Sequence, residues 1–452
     1  LERPVRVLMI GRHFWPHGSL DSAGHLMELA TGFKLAGVHV SVVTPKHAAS
    51  WAERFSFREC QVYRPIRMFR TGWTARGDRT SSRYIRYLRD WIESNPVACD
   101  MVYCDSGREE AIAAVEAARA IKVPSVVRLA GHGSCSDLEY HLHSRTGRRC
   151  RAAVMEATAV VVDSASAHRR WLADGGDRER VHRIPVGIGP APDRGWSSPK
   201  RLRRAMARIN GDLFVPDSCS VVLSVERLDR SSGVMTLVKS AYSLAQKIQG
   251  LQFWIVGDGP LRETIYAQLR SDGLRQSMAM PGSFSSADDV FSAADLMVHA
   301  GDEGFEHQIP TAIAAGLPLI LANTETAREF FGVTDSDVQT WILRRRAVTI
   351  DAGDAERADA DASHPDDPPA VDNAGRCVWW FDPKQPKTLR FAIEQIVDNL
   401  QQARRRAQQA RRVMQRTRSR SESIERFVTL FRQLASGQPR RHSDPTSMEN
   451  AQ

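Results

Sequence analysis

One carboxylate stands in a setting built for chemistry. In GDEGFEHQIPTAIAAGLPLILAN, residues 301–323, Glu303 is followed at once by a glycine and then by a helix of small residues. The apolar run at 296–298 is short enough to be a buried parallel strand, so Glu303 would stand just beyond a strand's carboxyl end. Ligands of open α/β sheets bind there. Pro310 suits the first turn of the next helix, where its missing N–H is not needed, and Ala312, Ala314, Ala315 and Gly316 let that helix pack closely. Residues 317–321 read as the following strand, and the whole arrangement reads as a ligand cradle.

Two further sites carry chemical side chains at strand ends. Residues 219–238, CSVVLSVERLDRSSGVMTLV, run from an apolar strand through a polar loop holding Arg227 to Gly233 and an amphipathic helix. A guanidinium in such a loop can fork onto phosphate oxygens, and a helix beginning near Gly233 adds positive potential. Residues 124–129 form another strand, followed by Ala130-Gly131-His132-Gly133. The simpler readings are a helix cap for Glu303, a surface arginine for Arg227 and a plain turn around His132.

The order of these stations resembles retaining GT-B glycosyltransferases of family 4. That family is marked by two glutamates eight positions apart; here Glu303 holds the first position and Thr311 the second. The resemblance implies that Glu303 lies beside a donor sugar and that backbone amides around Gly304 and Phe305 approach its diphosphate. Thr311 would replace the carboxylate that grips the ribose, trading two charge-assisted bonds for one neutral bond at a loss of roughly 1–3 kcal/mol. Whether Glu306, close by in sequence, can reach the ribose is a discriminator, because a compensating carboxylate there would favour an enzyme. Arg227 would face the diphosphate, while Ser232 stands where a lysine is usual. The resemblance also implies that Gly282 and Ser283 present backbone groups to the base, that Gly24 approaches the donor phosphate and that His132 lies near the transferred sugar. Residues 253–260, Asp163-Ser164, residues 185–188, Glu329 and Trp380-Phe381-Asp382-Pro383 complete the order.

The elements that must position these residues are alternating short apolar runs and helical segments. A strand at 5–10, a loop at 11–24, a helix at 25–35 and a strand at 38–43 make one βαβ unit. At 452 residues the chain has room for two α/β, doubly wound Rossmann-like domains facing a cleft. The expected division is an acceptor-binding domain at 1–190, a Pro- and Gly-broken linker at 191–216 and a nucleotide-sugar-binding domain at 217–400. An acidic, Ala- and Pro-rich insertion at 351–372 and a tail at 437–452 lack the apolar residues to order themselves. By resemblance alone, the basic helical region at 401–436 crosses back onto the first domain.

The net charge of +9 favours acidic partners, although solvated helix faces explain any single arginine cluster. No zinc-finger spacing or aromatic-rich RNA motif accompanies the arginines, so nucleic acid is not expected. Seven scattered cysteines argue against a disulfide framework and fit a reducing cytoplasm. His141 and His143 would share one face of a strand but have no second ligand pair, so no metal site is assigned. The expected activity is a metal-independent transfer, with retention, from a nucleotide-diphosphate sugar as co-substrate to a glycan or lipid-linked acceptor. No cofactor is implied, and a peripheral position on an anionic inner membrane face is the matching location. The alternative, motivated by Thr311 and Ser232, is a non-catalytic protein that binds nucleotide or glycan as a scaffold.

Overall fold

The computed structural model describes residues 3–68, 78–94, 97–191, 198–350 and 373–437. The acidic stretch at 351–372 and the tail from 438 lie outside them. Two separate sheets form. The first contains β1 (Arg6–Ile10), β2 (His39–Val43), β3 (Arg54–Phe57), β4 (Cys60–Tyr63), β5 (Met101–Cys104), β6 (Ser125–Arg128), β7 (Ala159–Val162) and β8 (Val181–Arg183). The second contains β9 (Ser220–Val225), β10 (Leu251–Val256), β11 (Met278–Gly282), β12 (Leu296–His299), β13 (Leu319–Ala322) and β14 (Trp379–Phe381).

The first sheet runs β3-β4-β2-β1-β5-β6-β7-β8, parallel except for the β3–β4 pair. The second runs β11-β10-β9-β12-β13-β14 and is wholly parallel. Central strands such as β5, β7 and β12 are buried along their whole length. That is why they read as unbroken apolar runs: helices cover both faces. Strand order reverses between β1 and β5 in one sheet and between β9 and β12 in the other. Crevices open beyond the carboxyl ends at such reversals, and here the two crevices face each other.

The crossover to the first half is made later than the resemblance implies. Helix Leu400–Thr417 stays on the second half, burying Ala403, Ala407, Ala410, Val413 and Met414. Its small side chains let it press against helix Gln308–Ala314 and the turn Ala374–Cys377. The chain crosses at Arg418 and Ser419, where Ile188 N–H donates to the Arg418 carbonyl at 2.7 Å and Arg420 N–H to the Ile188 carbonyl at 3.0 Å. Helix Arg420–Ala435 then packs on helix Asp21–Leu35 of the first half. Phe431 inserts beside Phe33 and Tyr103, with centroids 5.1 and 6.0 Å away. Phe431→Ala is expected to cost about 3–5 kcal/mol, measured by urea unfolding. A change below about 1 kcal/mol would mean that this helix contributes little to the fold. No helix among the described residues is long and apolar enough to cross a membrane.

Candidate active site

A cavity of about 180 Å³ lies between the halves, and it brings together Arg227 and Glu303 from the second with His132 from the first. Each comes from a loop at the carboxyl end of its sheet: Arg227 after β9, Glu303 after β12, His132 after β6. Burial pushes the Glu303 carboxyl up, Asp229 adds to the rise, and Cys135 and Arg227 oppose it. Arg227 keeps an ion pair with Asp229 at 3.3 Å and remains 41% exposed, so its guanidinium is accessible from the cavity.

His132 is held as a cation. Burial alone would lower it, but Asp163, whose Oδ2 lies 3.2 Å from Nε2, pushes it up to about 9. A folded-state value above the unfolded 6.5 means stability that is fully present below pH 6.5 and lost as the pH rises through about 9. Asp163→Asn should therefore lower stability by about 2–3 kcal/mol at pH 6 and by much less at pH 10. Thermal melts across that range check it, and a deficit independent of pH would sink the assignment of charge to His132.

Across the interface a second charged cluster joins the halves. Arg128, at the end of β6, donates to both Glu306 oxygens at 2.7 and 3.1 Å and to Asp105 Oδ1 at 2.7 Å. Gly131 N–H adds a third bond to Glu306, at 2.7 Å. Burial would raise Glu306, but Arg128 holds it well below the usual carboxylate range. Glu306 therefore does not stand in for a carboxylate at Thr311: its carboxylate faces the other half, where Arg128 holds it. His132, Asp163 and Glu306 offer ligand atoms within 4.8 Å of one another. Glu306 already accepts three N–H bonds, and the His132 and Arg128 cations together offset the Asp163 and Glu306 carboxylates.

Two family descriptions match this chain. "Glycosyl transferase 4-like domain" covers residues 23–187 and "Glycosyl transferases group 1" covers residues 219–349, together more than half of the sequence. The chain belongs to the group 1 glycosyltransferases. Among curated relatives it is 30% identical over 113 residues to 2-deoxystreptamine N-acetyl-D-glucosaminyltransferase of Niallia circulans, spanning 24% of this chain and 29% of that protein. It is 31% identical over 137 residues to alpha-D-kanosaminyltransferase of Streptomyces kanamyceticus, spanning 30% and 34%. The matched stretches thus cover about a third of those relatives' length. Solved structures share the fold over almost the whole chain. Sucrose-phosphate synthase from Thermosynechococcus elongatus superposes with a TM-score of 0.60 at 16% identity, covering 96% of this chain and 100% of that one. Anabaena HepE in complex with UDP and glucose gives 0.60 at 15%, covering 95% and 99%. The two sheets and the returning helix are the GT-B architecture.

In this member of the family several residues expected at the donor are engaged elsewhere. Ser232 is buried, its Oγ donating to the Asp229 carbonyl at 2.9 Å, so it shapes the loop beneath Arg227. Thr311 is buried with Oγ1 3.4 Å from His307 Nδ1. That same nitrogen lies 3.3 Å from Glu28 in helix Asp21–Leu35, so Thr311 belongs to an interdomain cluster. Phe305 is buried among His299, His132 and Phe330. Gly304 adopts φ +94°, and its N–H points at Asp21 Oδ2, 3.1 Å away. Gly24 also serves packing: a Cβ there would lie 2.0 Å from His307 Cδ2. Gly282 ends β11 with φ +87°, and Ser283 is exposed beside it; neither lines the cavity. His141 and His143 are on helix Asp137–His143, not a strand, and point apart: His141 binds the Gly107 carbonyl at 2.7 Å, whereas His143 is exposed near Glu139.

Asp21, Arg128 and Glu226 were not foreseen, and Asp163 was read only as one station of the order. Asp21, Arg128 and Asp163 act through partners far away in sequence. Arg128 carried one signal, a charge ending an apolar strand, but strand ends commonly carry charges. Glu226, next to Arg227, is fully buried; desolvation pushes its acid up to about 8, and Ser224 donates to it at 2.6 Å. It stands neutral at the base of the loop that holds Arg227.

Proposed function

We propose that this protein transfers a sugar from a nucleotide-diphosphate donor to a glycan or lipid-linked acceptor, with retention and without a metal ion. The observation that carries this reading is the shared cavity in which Arg227 and Glu303 of one half meet His132 of the other. Arg227 and the amino end of helix Val234–Lys247 take the departing diphosphate, where fixed positive charge is most effective. Glu303 orients the sugar and cationic His132 stands beside it. The acceptor approaches from the first half, and domain closure excludes water. Support comes from the names of the relatives: one acts in lipopolysaccharide core biosynthesis, and a structural neighbour was solved with UDP and glucose. A cytoplasmic membrane face suits a lipid-linked acceptor, and exposed Arg145, Arg148, Arg149 and Leu142 on the first half would meet anionic lipid there.

A second reading, a non-catalytic nucleotide or glycan binder, is favoured by one observation: Thr311 and Ser232 spend their hydroxyls on internal partners. Calorimetric titration with UDP, GDP and their sugar conjugates, followed by a donor-hydrolysis assay, separates the two. Binding with slow hydrolysis supports transfer. Binding without turnover, in the presence or absence of an acceptor extract, supports the scaffold.

A further inference from the structure

The first half reaches into the second through a short strap that ends in a carboxylate. Ser19 exchanges two bonds with Phe284: its N–H donates to the Phe284 carbonyl at 3.1 Å, and its Oγ accepts from Phe284 N–H at 3.2 Å. Gln308 Nε2 donates to the Ser19 carbonyl at 3.0 Å. Gly18 passes so near that a Cβ would lie 2.1 Å from the Ser285 carbonyl oxygen. Two residues beyond Ser19, Asp21 Oδ1 accepts from His307 N–H at 2.7 Å and Gln308 N–H at 3.0 Å. Its Oδ2 accepts from Gly304 N–H at 3.1 Å and Glu306 N–H at 3.2 Å.

Four converging amides form an anion cradle, and bonds of this charge-assisted kind are the strong ones. The occupant is a side chain of the opposite half. A carboxylate and a phosphate are both acceptor-only groups of similar charge, so one excludes the other from the same amides. The strap also lies across the loop holding Gly282 and Ser283. The cavity that holds Arg227, Glu303 and His132 is about 180 Å³, and a second of about 440 Å³ between the halves shares His132 but lies against Asp163, Glu329 and Phe330 instead. Pockets that hold small ligands are on the order of 300–1,000 Å³, and a nucleotide sugar needs more than the first of these cavities offers.

We propose that the strap from Ser19 to Asp21 is an autoinhibitory contact: Asp21 occupies the amide cradle as an internal anion, and the donor enters only after the strap lifts. This inference rests on the reading of the chain as a nucleotide-sugar transferase and adds its regulation. Glu303 and Arg227 stay in the cavity while the strap is down, so part of the site waits preformed. Helix Asp21–Leu35, which begins with Asp21, also carries Glu28, paired to Arg420 of the returning helix at 2.7 Å. Movement of that helix would therefore disturb the strap and the crossover together.

The test compares the full-length wild type, Asp21→Ala and Ser19→Ala by calorimetry with UDP, GDP and ADP, and by small-angle scattering without ligand. The expected result is a nucleotide affinity at least about ten times higher in Asp21→Ala, a smaller gain in Ser19→Ala, and a larger radius of gyration for Asp21→Ala. Equal affinity in wild type and Asp21→Ala overturns the strap as an inhibitor and leaves the transferase reading standing. Failure of every protein to bind any nucleotide, with Asp21→Ala expanded, overturns the transferase reading and the inference with it. Should Asp21→Ala lose its circular dichroism, Ser19→Ala decides: unchanged affinity overturns the proposal.

Discussion

Glu303→Ala is expected to lower donor turnover by about two to three orders of magnitude while leaving the fold intact. Both halves of that expectation follow from where the side chain stands. Glu303 lines the cavity and has no buried ion pair, so its removal strands no charge in the core. Burial raises its carboxyl, and the nearby Asp229 raises it further, while Cys135 and Arg227 oppose the rise. Arg227 remains in place for the diphosphate. Nucleotide affinity should thus change little while the rate collapses, a split typical of an interaction made in the transition state. Single-turnover donor hydrolysis, with nucleotide affinity measured on the same preparations, is the check. Unchanged turnover would remove Glu303 from the site.

Arg128→Met is expected to destabilise the protein by about 3–5 kcal/mol. The Arg128 side chain is only 2% exposed and is shared by Asp105 of its own half and Glu306 of the other. Deleting the cation leaves two buried carboxylates facing one another, with Tyr103 still donating to Asp105 at 2.6 Å. The cost comes from these uncompensated charges more than from the lost attraction. Adding Glu306→Gln to Arg128→Met should therefore recover part of the loss, giving a coupling of about 1–3 kcal/mol in a double-mutant cycle. Urea unfolding of the four proteins measures it. Additive effects would mean that the pair does not hold the halves together.

Much of the fold was legible in the chain because buried parallel strands announce themselves as short apolar runs. The strand expected at 5–10 is β1, that at 38–43 is β2, and that at 124–129 is β6, each within a residue or two. Helix Asp21–Leu35 was harder: its first turn, Asp21-Ser22-Ala23-Gly24, has the composition of a loop. The reason is interdomain. Gly24 is small to admit His307, and Asp21 is acidic to meet amides of residues 304–308, partners some 280 positions away. No local period can report a requirement set by a distant surface. The same holds for Glu306, whose nearness to Thr311 in sequence suggested one partner while Arg128 supplied another.

What the amino-acid sequence determined by itself was the alternation of buried strands and covering helices, the two-sheet architecture that follows, and the strand ends at which Arg227, His132 and Glu303 stand. These depend on patterns repeated within a few residues. The tertiary structure alone decided that the three share one cavity, that Arg128 locks Glu306 across it, that His132 is cationic beside Asp163, and that Asp21 fills the amides at 304–308. Charge and hydrogen bonding act through space over a few ångströms, and only the folded chain sets which groups come within that distance.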